Sequence, residues 1–486
     1  MSWTFWMNVG FFIVLAYLFY VAVVSYLRIK NTSGYYLANR EAPAYLIVGS
    51  LMASTVSGGM FFGMVAYYYN LGAAVFWMNL GVAWSWIIIC YFIGPKLRRF
   101  GQFTIPEYLA QRFDSPSLRV VFSIITTLWM VVLMGSVLVQ GGLLFEYMYG
   151  VDYATAIVVI GVAVGLYTVF GGMFAVLKTD WISMWILLAG AFVALPYLLK
   201  TGGGWSNIVD TIYTIQPAFF TSLGGRTTFF TAASWFFIWC FGYLGHPGFL
   251  TRFYTAKNVR EVIKSGIGVS LLYMPLWVLI FFISTSLRAI YPTIGDPELV
   301  WITFMFEHVP PIVVGFAMAA VLAAVLSSAN TWLLTAATSV CKDIYQCAFD
   351  KNVSDKKLLT ISKVAVMVLS LIAIPIGIWR PTYIMELMMI AYLIAGSSGG
   401  LVILLSMYYK NMTTQAAWAG IISGALIATV WRTLQLVGTI SSAINPIIPT
   451  ILVALAIIII VSKATKPTEA TLAMFNKLND KSQDYA

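Results

Sequence analysis

Ala53-Ser54-Thr55-Val56-Ser57-Gly58-Gly59 lies in the middle of an apolar run that extends from Ala44 to Tyr69. A run of that length reads as a membrane-spanning helix, and small hydroxyl residues followed by paired glycines interrupt it halfway across. In hydrocarbon no water replaces a lost helix bond, and each unpaired amide or carbonyl costs several kcal/mol. The interruption is therefore tolerable only where it lines a cavity or coordinates something. A second interruption, Phe241-Gly242-Tyr243-Leu244-Gly245-His246-Pro247-Gly248, stands in the second half of the chain.

Working outward, 60% of the residues are hydrophobic and 9% are charged. A soluble surface needs about a quarter of residues charged, so the chain is expected to be an all-α polytopic membrane protein with lipids around it. Apolar windows fall at 5–27, 44–69, 72–94, 119–148, 152–176, 180–199, 229–251, 263–286, 311–338, 359–379, 383–408, 414–437 and 444–462. They make about thirteen transmembrane helices. The first has no basic start, and Arg28 and Lys30 follow it, so it reads as an anchor with the N-terminus outside. Threading the charges through this topology leaves only Lys200, Arg226, Arg288, Arg380 and Arg432 on the outer side, with every other Lys and Arg cytoplasmic. The net charge of +10 thus reflects topology and calls for no nucleic-acid partner. The tail 463–486 is expected to be cytoplasmic and frayed.

Cys90, Cys240, Cys341 and Cys347 have no Cys-x-x-Cys spacing, and two histidines cannot build a metal centre. No phosphate-binding loop or nucleophile elbow occurs, which argues against an enzyme and against ATP-driven transport. Two blocks of five spans, 44–199 and 229–408, each open with a broken helix. Five is odd, so the second block must be inverted relative to the first, as in secondary transporters that hold substrate and ions at the midplane. Around these blocks lie an N-terminal extra helix and loop (1–43), an extracellular loop (200–228), C-terminal extra helices (409–462) and the tail.

Three segments then carry a resemblance. Gly171-Gly172-Met173-Phe174-Ala175-Val176-Leu177-Lys178-Thr179-Asp180, Ala323-Ala324-Val325-Leu326-Ser327-Ser328, and Trp239 through Pro247 with Thr251-Arg252-Phe253 resemble signatures of the sodium/solute symporter family. The likeness covers its sodium/proline, pantothenate and monocarboxylate branches and runs from Gly34-Tyr35-Tyr36-Leu37-Ala38 to about Gly424. It implies a LeuT-type five-plus-five inverted repeat with broken first and sixth core helices. It also implies a symporter that imports a small organic solute, an amino acid such as proline or a carboxylate such as pantothenate or a monocarboxylate, with Na+ as coupling ion.

The resemblance places sodium at Ala53, Val56 and Ala324 through carbonyls and at Ser327 and Ser328 through hydroxyls. The chemistry agrees independently, because sodium takes roughly five or six oxygens and neutral ones hold it reversibly. Serine pairs in membrane helices also serve close packing or bond back to a carbonyl. Asp180 matches an acid that in some relatives belongs to a second sodium site, and it would be the natural carrier if this chain were proton-coupled; the companion positions here are Asn330 and Thr331, where two-ion relatives tend to carry serines. Its structural alternative is an ion pair with Lys178 or a helix cap.

For the solute, Ser57, Gly58, Trp239, Tyr243 and Pro247 match positions implicated in substrate binding in proline-type relatives. Trp239 and Tyr243 are four apart, on one helix face, although Trp and Tyr also populate lipid belts. Thr55 stands where those relatives carry aspartate, and Ser183 where the family has glutamine. Gln140 either reaches the cavity or bridges helices. His246 either meets substrate or satisfies a freed carbonyl. Glu386 is expected at the interface, His308 at the surface, and Asp296, Glu298 and Glu307 as an acidic, solvated outer loop.

One positive charge moving inward down ~100 mV yields ~2.3 kcal/mol, and a tenfold sodium gradient adds ~1.4 kcal/mol. Together they support roughly several-hundred-fold accumulation of a neutral solute. A transporter-like solute sensor, a proton-coupled carrier and a channel are the alternatives. No appended signalling domain favours the first, and no pore loop or charge ring favours the last.

Overall fold

Every long apolar run is helical in the computed structural model, which describes residues 2–26, 32–56, 58–101, 104–380, 383–441 and 445–480. Among the described residues there are 11 helices long and apolar enough to cross a membrane, and two shorter apolar ones, Ala44–Val56 and Phe229–Leu244. Those two are the first halves of the helices read as broken. The first continues as Gly63–Leu71 and the second as Pro247–Thr255, so thirteen crossings emerge, as the apolar runs suggest.

Local chemistry sets the ends. Ser115 caps the Pro116–Tyr149 helix by accepting from Leu118 N, and Gly150 closes it in the left-handed region. Thr228 caps Phe229–Leu244 by accepting from Thr231 N, and Ser354 caps Asp355–Trp379 by accepting from Lys357 N. Pro310 and Pro311 start the Pro311–Thr338 helix, where the missing N–H costs nothing. The fourth and fifth core spans meet at Gly172 (φ 56°, ψ −178°), giving Tyr153–Phe170 and Gly172–Thr201 in place of the expected 152–176 and 180–199. Only glycine accepts that backbone geometry without strain, and hydropathy alone cannot see a turn inside apolar sequence.

Pro311–Thr338 is the central helix, packed on Trp3–Tyr26, Gly172–Thr201, Pro116–Tyr149 and Ala44–Val56. Peripheral helices turn large apolar side chains outward, among them Phe12, Phe19, Leu128, Leu271 and Phe192. That surface suits lipid and no other solvent.

Two expectations about the ends of the molecule fail. The tail is ordered through a helix, Glu469–Asn479, capped by Thr468. Buried Arg112 donates to the carbonyls of Ser406 (2.8 Å) and Thr471 (2.9 Å), and Lys96 Nζ donates to Asn479 Oδ1 (2.6 Å) and Met407 O (3.0 Å), which pins this helix to the bundle. Glu298, expected in solvent, is buried. It pairs with Arg380 at 2.6 Å and accepts from Ile384 N at 2.8 Å, tying the loop to the start of the tenth core helix, Ile384–Ala395.

Candidate functional site

The first break places Gly58 against the central helix. A Cβ on Gly58 would lie 2.6 Å from Val325 Cγ2 and 2.8 Å from Gln140 Oε1, so only a glycine permits this approach. Val325 is flanked by Ala324 and precedes Ser328 by three residues, and Ser54 near the end of Ala44–Val56 lies 3.0 Å from Thr331, one turn beyond Ser327, which brings this helix end to the stretch of the central helix that carries the serine pair. A helix C-terminus carries carbonyls without intrahelical donors and a partial negative charge. The Ser327 and Ser328 hydroxyls are buried and make no hydrogen bond of good geometry, although Ser327 is within electrostatic reach of Asp180. Neither hydroxyl bonds back to a carbonyl, the usual fate of a serine in a membrane helix. Ser57 lies outside the described residues.

Asp180 is fully buried within Gly172–Thr201, and its ion partner is Arg252, not Lys178. Arg252 Nε donates to Ser50 Oγ (3.1 Å), which donates onward to Asp180 Oδ2 (2.5 Å), while Nη2 lies 3.9 Å from that oxygen. Arg252 Nη1 donates to Gly248 O (2.5 Å), and Nη2 donates to Thr331 Oγ1. Thr331 also lies 3.0 Å from Ser54 Oγ. Asn330 turns elsewhere, its Oδ1 accepting from Thr168 Oγ1 at 2.5 Å. Of the three residues read as a second ion or proton site, two are therefore gathered around a guanidinium and the third is not with them. The signature Thr251-Arg252-Phe253 contained this arginine, but nothing in its spacing tells that it reaches Asp180.

Beside the first break is a small cavity. Thr55, Gly59, Met60 and Met64 form one wall, Trp239 and Tyr243 another; Asn79, Tyr273 and Trp277 come from neighbouring helices, and Met385 and Met388 from the tenth core helix. Trp239 and Tyr243 thus do share a cavity. Both rings pack on Tyr392, at centroid distances of 4.9 Å and 5.2 Å. Pro247 lines a different cavity, with Thr251, Thr335, Tyr36 and Thr104. Gly58 and Gln140 meet each other behind the break, and both polar ends of the Gln140 amide are buried without partners. Tyr273 and Trp277 escaped the sequence reading, although they repeat the four-residue aromatic spacing that singled out Trp239 and Tyr243. Asn79, a lone amide in an apolar span, was likewise a legible signal.

His246 begins the second break. The proline after it favours extended backbone (ψ 101°), and Pro247 opens the next half-helix. Both ring nitrogens are buried and make no hydrogen bond of good geometry, with Trp129 and Phe249 at centroid distances of 5.1 Å and 4.1 Å. Glu386 pairs with Arg432 at 3.4 Å and is partly exposed, and His308 is partly exposed beside Glu307, both as expected.

Two helices broken at mid-depth, joined around a shared cavity within an all-helical bundle, define a secondary transporter of the LeuT type. Solved structures agree on the fold: a Na+-coupled sialic acid symporter in a substrate-bound outward-open state matches over 96% of this chain and 100% of that chain with a TM-score of 0.83 at 20% identity. Mhp1, a nucleobase-cation-symport-1 family transporter, matches over 92% and 99% with a TM-score of 0.61 at 13% identity. The chain belongs to the sodium:solute symporter family, whose model matches residues 35–424. Similar proteins include the osmoregulated proline transporter OpuE of Bacillus subtilis (29% identity, 92% of this chain and 93% of the relative). The high-affinity proline transporter PutP of the same organism is 28% identical over 95% and 98%, and a sodium/proline symporter of Staphylococcus aureus is 28% identical over 93% and 91%. The protein is a multi-pass membrane symporter that uses sodium to drive solute import, and it is not an enzyme.

Proposed function

We propose that one sodium ion binds between the carbonyls of Ala53, Val56 and Ala324 and the hydroxyls of Ser327 and Ser328, and that a small organic solute binds in the adjoining cavity against Trp239 and Tyr243. Gly58 and Gln140 form the partition between ion and solute, and Pro247 borders the path by which the solute leaves. Asp180 is balanced by Arg252, whose guanidinium serves as a tethered cation beside Thr331, so no second sodium is required there. The N-terminus faces outward and the C-terminus inward, following the distribution of Lys and Arg. The repeat bundle rocks against its scaffold to alternate access, with sodium favouring the state that exposes the solute site.

The observation that carries this reading is the pair of buried serine hydroxyls that make no hydrogen bond of good geometry, Ser327 facing only the Asp180 carboxylate, near the carbonyl end of a broken helix. Buried hydroxyls without partners are costly, and a cation coordinated by them removes that cost. Uptake into proteoliposomes with and without an inward sodium gradient tests it. Concentrative, sodium-dependent uptake supports symport; binding without flux would indicate a sensor, and dissipative flux a channel.

A further inference from the structure

The helices Ala44–Val56, Gly172–Thr201 and Val259–Ile290 touch at one level and part at the next. A Cβ on Gly49 would lie 2.6 Å from Trp181 Cα, and one on Gly268 would lie 2.6 Å from Val48 Cγ2, so two glycines permit the close approach. One and two turns beyond Gly49 stand Met52 and Val56, whose side chains hold the neighbours off. In the facing helix Pro275 lacks the N–H that would bond the carbonyl four residues earlier. A crevice of about 220 Å³ opens between the three helices there.

Its floor and its mouth differ. Met52, Val56, Met184, Leu187 and Leu276 are buried, whereas Trp185 is 47% and Phe192 57% exposed, and Pro275 is exposed as well. Every described lining residue is Met, Val, Leu, Pro, Phe or Trp, so the crevice offers dispersion contacts and no ionic partner. Phe192 belongs to the outward apolar surface of the bundle, and so do Leu271 and Val278, each next in sequence to a lining leucine. The mouth therefore opens sideways onto lipid. From it the rings of Trp185, Trp181 and Tyr45 follow one another at centroid distances of 5.5 Å and 5.3 Å towards the start of Ala44–Val56, where Tyr45 is exposed. Trp and Tyr gather where hydrocarbon meets headgroups. Arg260 and Lys264 are exposed near the start of the adjoining helix Val259–Ile290.

We propose that this crevice binds one acyl chain of a membrane phospholipid, from the leaflet nearer Tyr45, and that the chain supports the helix end that carries Val56. The site itself is independent of the ion and solute sites; its support of the helix end rests on the sodium site proposed above. A dry apolar cavity of about 150 Å³ takes up a benzene, so this one has room for a length of hydrocarbon. Lipid tails are as apolar as leucine, so burial here gives no hydrophobic gain. The chain is held because an empty crevice would cost its lining their dispersion contacts. Any tilt of Ala44–Val56 changes the width of the crevice, so chain and ion bias the same equilibrium.

The test reconstitutes the full chain in phosphatidylcholine vesicles doped with a phosphatidylcholine whose chain carries a diazirine near its end; after illumination, adducts are mapped by peptide mass spectrometry. Adducts should include Met52, Val56 or Met184, which a lipid skirting the surface does not touch. Leu188→Trp puts a ring into the crevice from a half-buried lining position, and Leu279→Trp does so from the facing helix. Whichever melts like wild type should lose those adducts and keep the ones at Phe19 and Leu128. In lipid-depleted detergent, added phosphatidylcholine should lower the sodium concentration for half-maximal thermal stabilisation at least about fivefold in wild type and leave the filled variant unchanged. Adducts confined to the rim, unchanged adducts in the filled variant, or labelling of the floor by a photoreactive sterol in place of the phospholipid each overturns the acyl-chain site. Floor adducts with a sodium response indifferent to lipid overturn the support of the helix end. Absence of any sodium-dependent stabilisation would instead sink the proposed ion site and leave the occupant of the crevice standing.

Discussion

Replacing Ser327 and Ser328 together by alanine removes two of the five oxygens proposed to hold sodium. Both hydroxyls are buried, and neither makes a well-formed hydrogen bond within the protein, so the substitution breaks no such bond that the fold uses. Folding stability in potassium should therefore stay unchanged or rise slightly. Each ligand to a charged group contributes about 1.5–3 kcal/mol, and relaxation or water entry returns part of the loss. Even if only half of the two contributions is lost, the sodium affinity falls at least about tenfold, ~1.4 kcal/mol. A ligand at 100 times its Kd stabilises a protein by about 2.7 kcal/mol, so the sodium-dependent thermal shift should shrink by roughly half at a fixed sodium concentration. The assay is melting temperature and uptake rate against sodium concentration for wild type and variant. An unchanged half-saturating sodium concentration refutes the site. A variant that already melts much lower in potassium refutes the premise that these hydroxyls are free of structural duty.

Gly58→Ala should abolish transport, because its Cβ would fall 2.6 Å from Val325 Cγ2, and Val325→Ala should restore part of the uptake; absence of rescue would place the defect elsewhere. Arg252→Gln should cost about 3–5 kcal/mol by stranding Asp180, and Asp180→Asn in the same chain should recover a measurable share; additive losses in a double-mutant cycle would mean the two are uncoupled. Limited proteolysis should cut slowly at Lys477, which lies in the pinned Glu469–Asn479 helix, and faster once Arg112→Ala removes the bond to Thr471 O; equal rates would show that the helix is held by other contacts. If the solute is a monocarboxylate carried with one sodium, no net charge moves, so a potassium-diffusion potential should leave uptake unaltered; strong acceleration by an inside-negative potential would show a second cation.

The fold was legible because membranes restrict the options so severely. Ala53–Gly59 and Phe241–Gly248 contain residues that no uninterrupted span needs, and backbone bonding in hydrocarbon turns that anomaly into a structural statement. The serine pair was legible once the break was known. What escaped notice depended on contacts between distant segments. Arg252 meets Asp180 across 72 positions of sequence (252 − 180), and Glu298 meets Arg380 across 82. Neither pairing leaves a local pattern, so a charge counted as loop or as boundary became a buried partner. The tail helix was within reach of the sequence: Thr468 and Glu469 form a start, and Leu472, Phe475 and Leu478 recur every three residues on one face. Polarity of the tail as a whole concealed that stripe.

The two proposed sites are coupled because one short segment belongs to both. Ala53 and Val56 would point carbonyls at sodium, while Thr55 and Gly59 line the solute cavity, so ion and solute are separated by the backbone of about two residues. At the proposed site, sodium would join the carbonyl end of Ala44–Val56 to the two serine hydroxyls. Bound there, it would hold Gly58 against Val325, and with it the wall on which Met60 and Met64 sit. A ligand changes an equilibrium only by its differential affinity for the two states. Here the differential is the set of oxygens assembled solely when the break docks on the central helix. The same docking completes the solute cavity, so each ligand must strengthen the other by an equal factor, and a carboxylate near the break would add its own attraction for the ion.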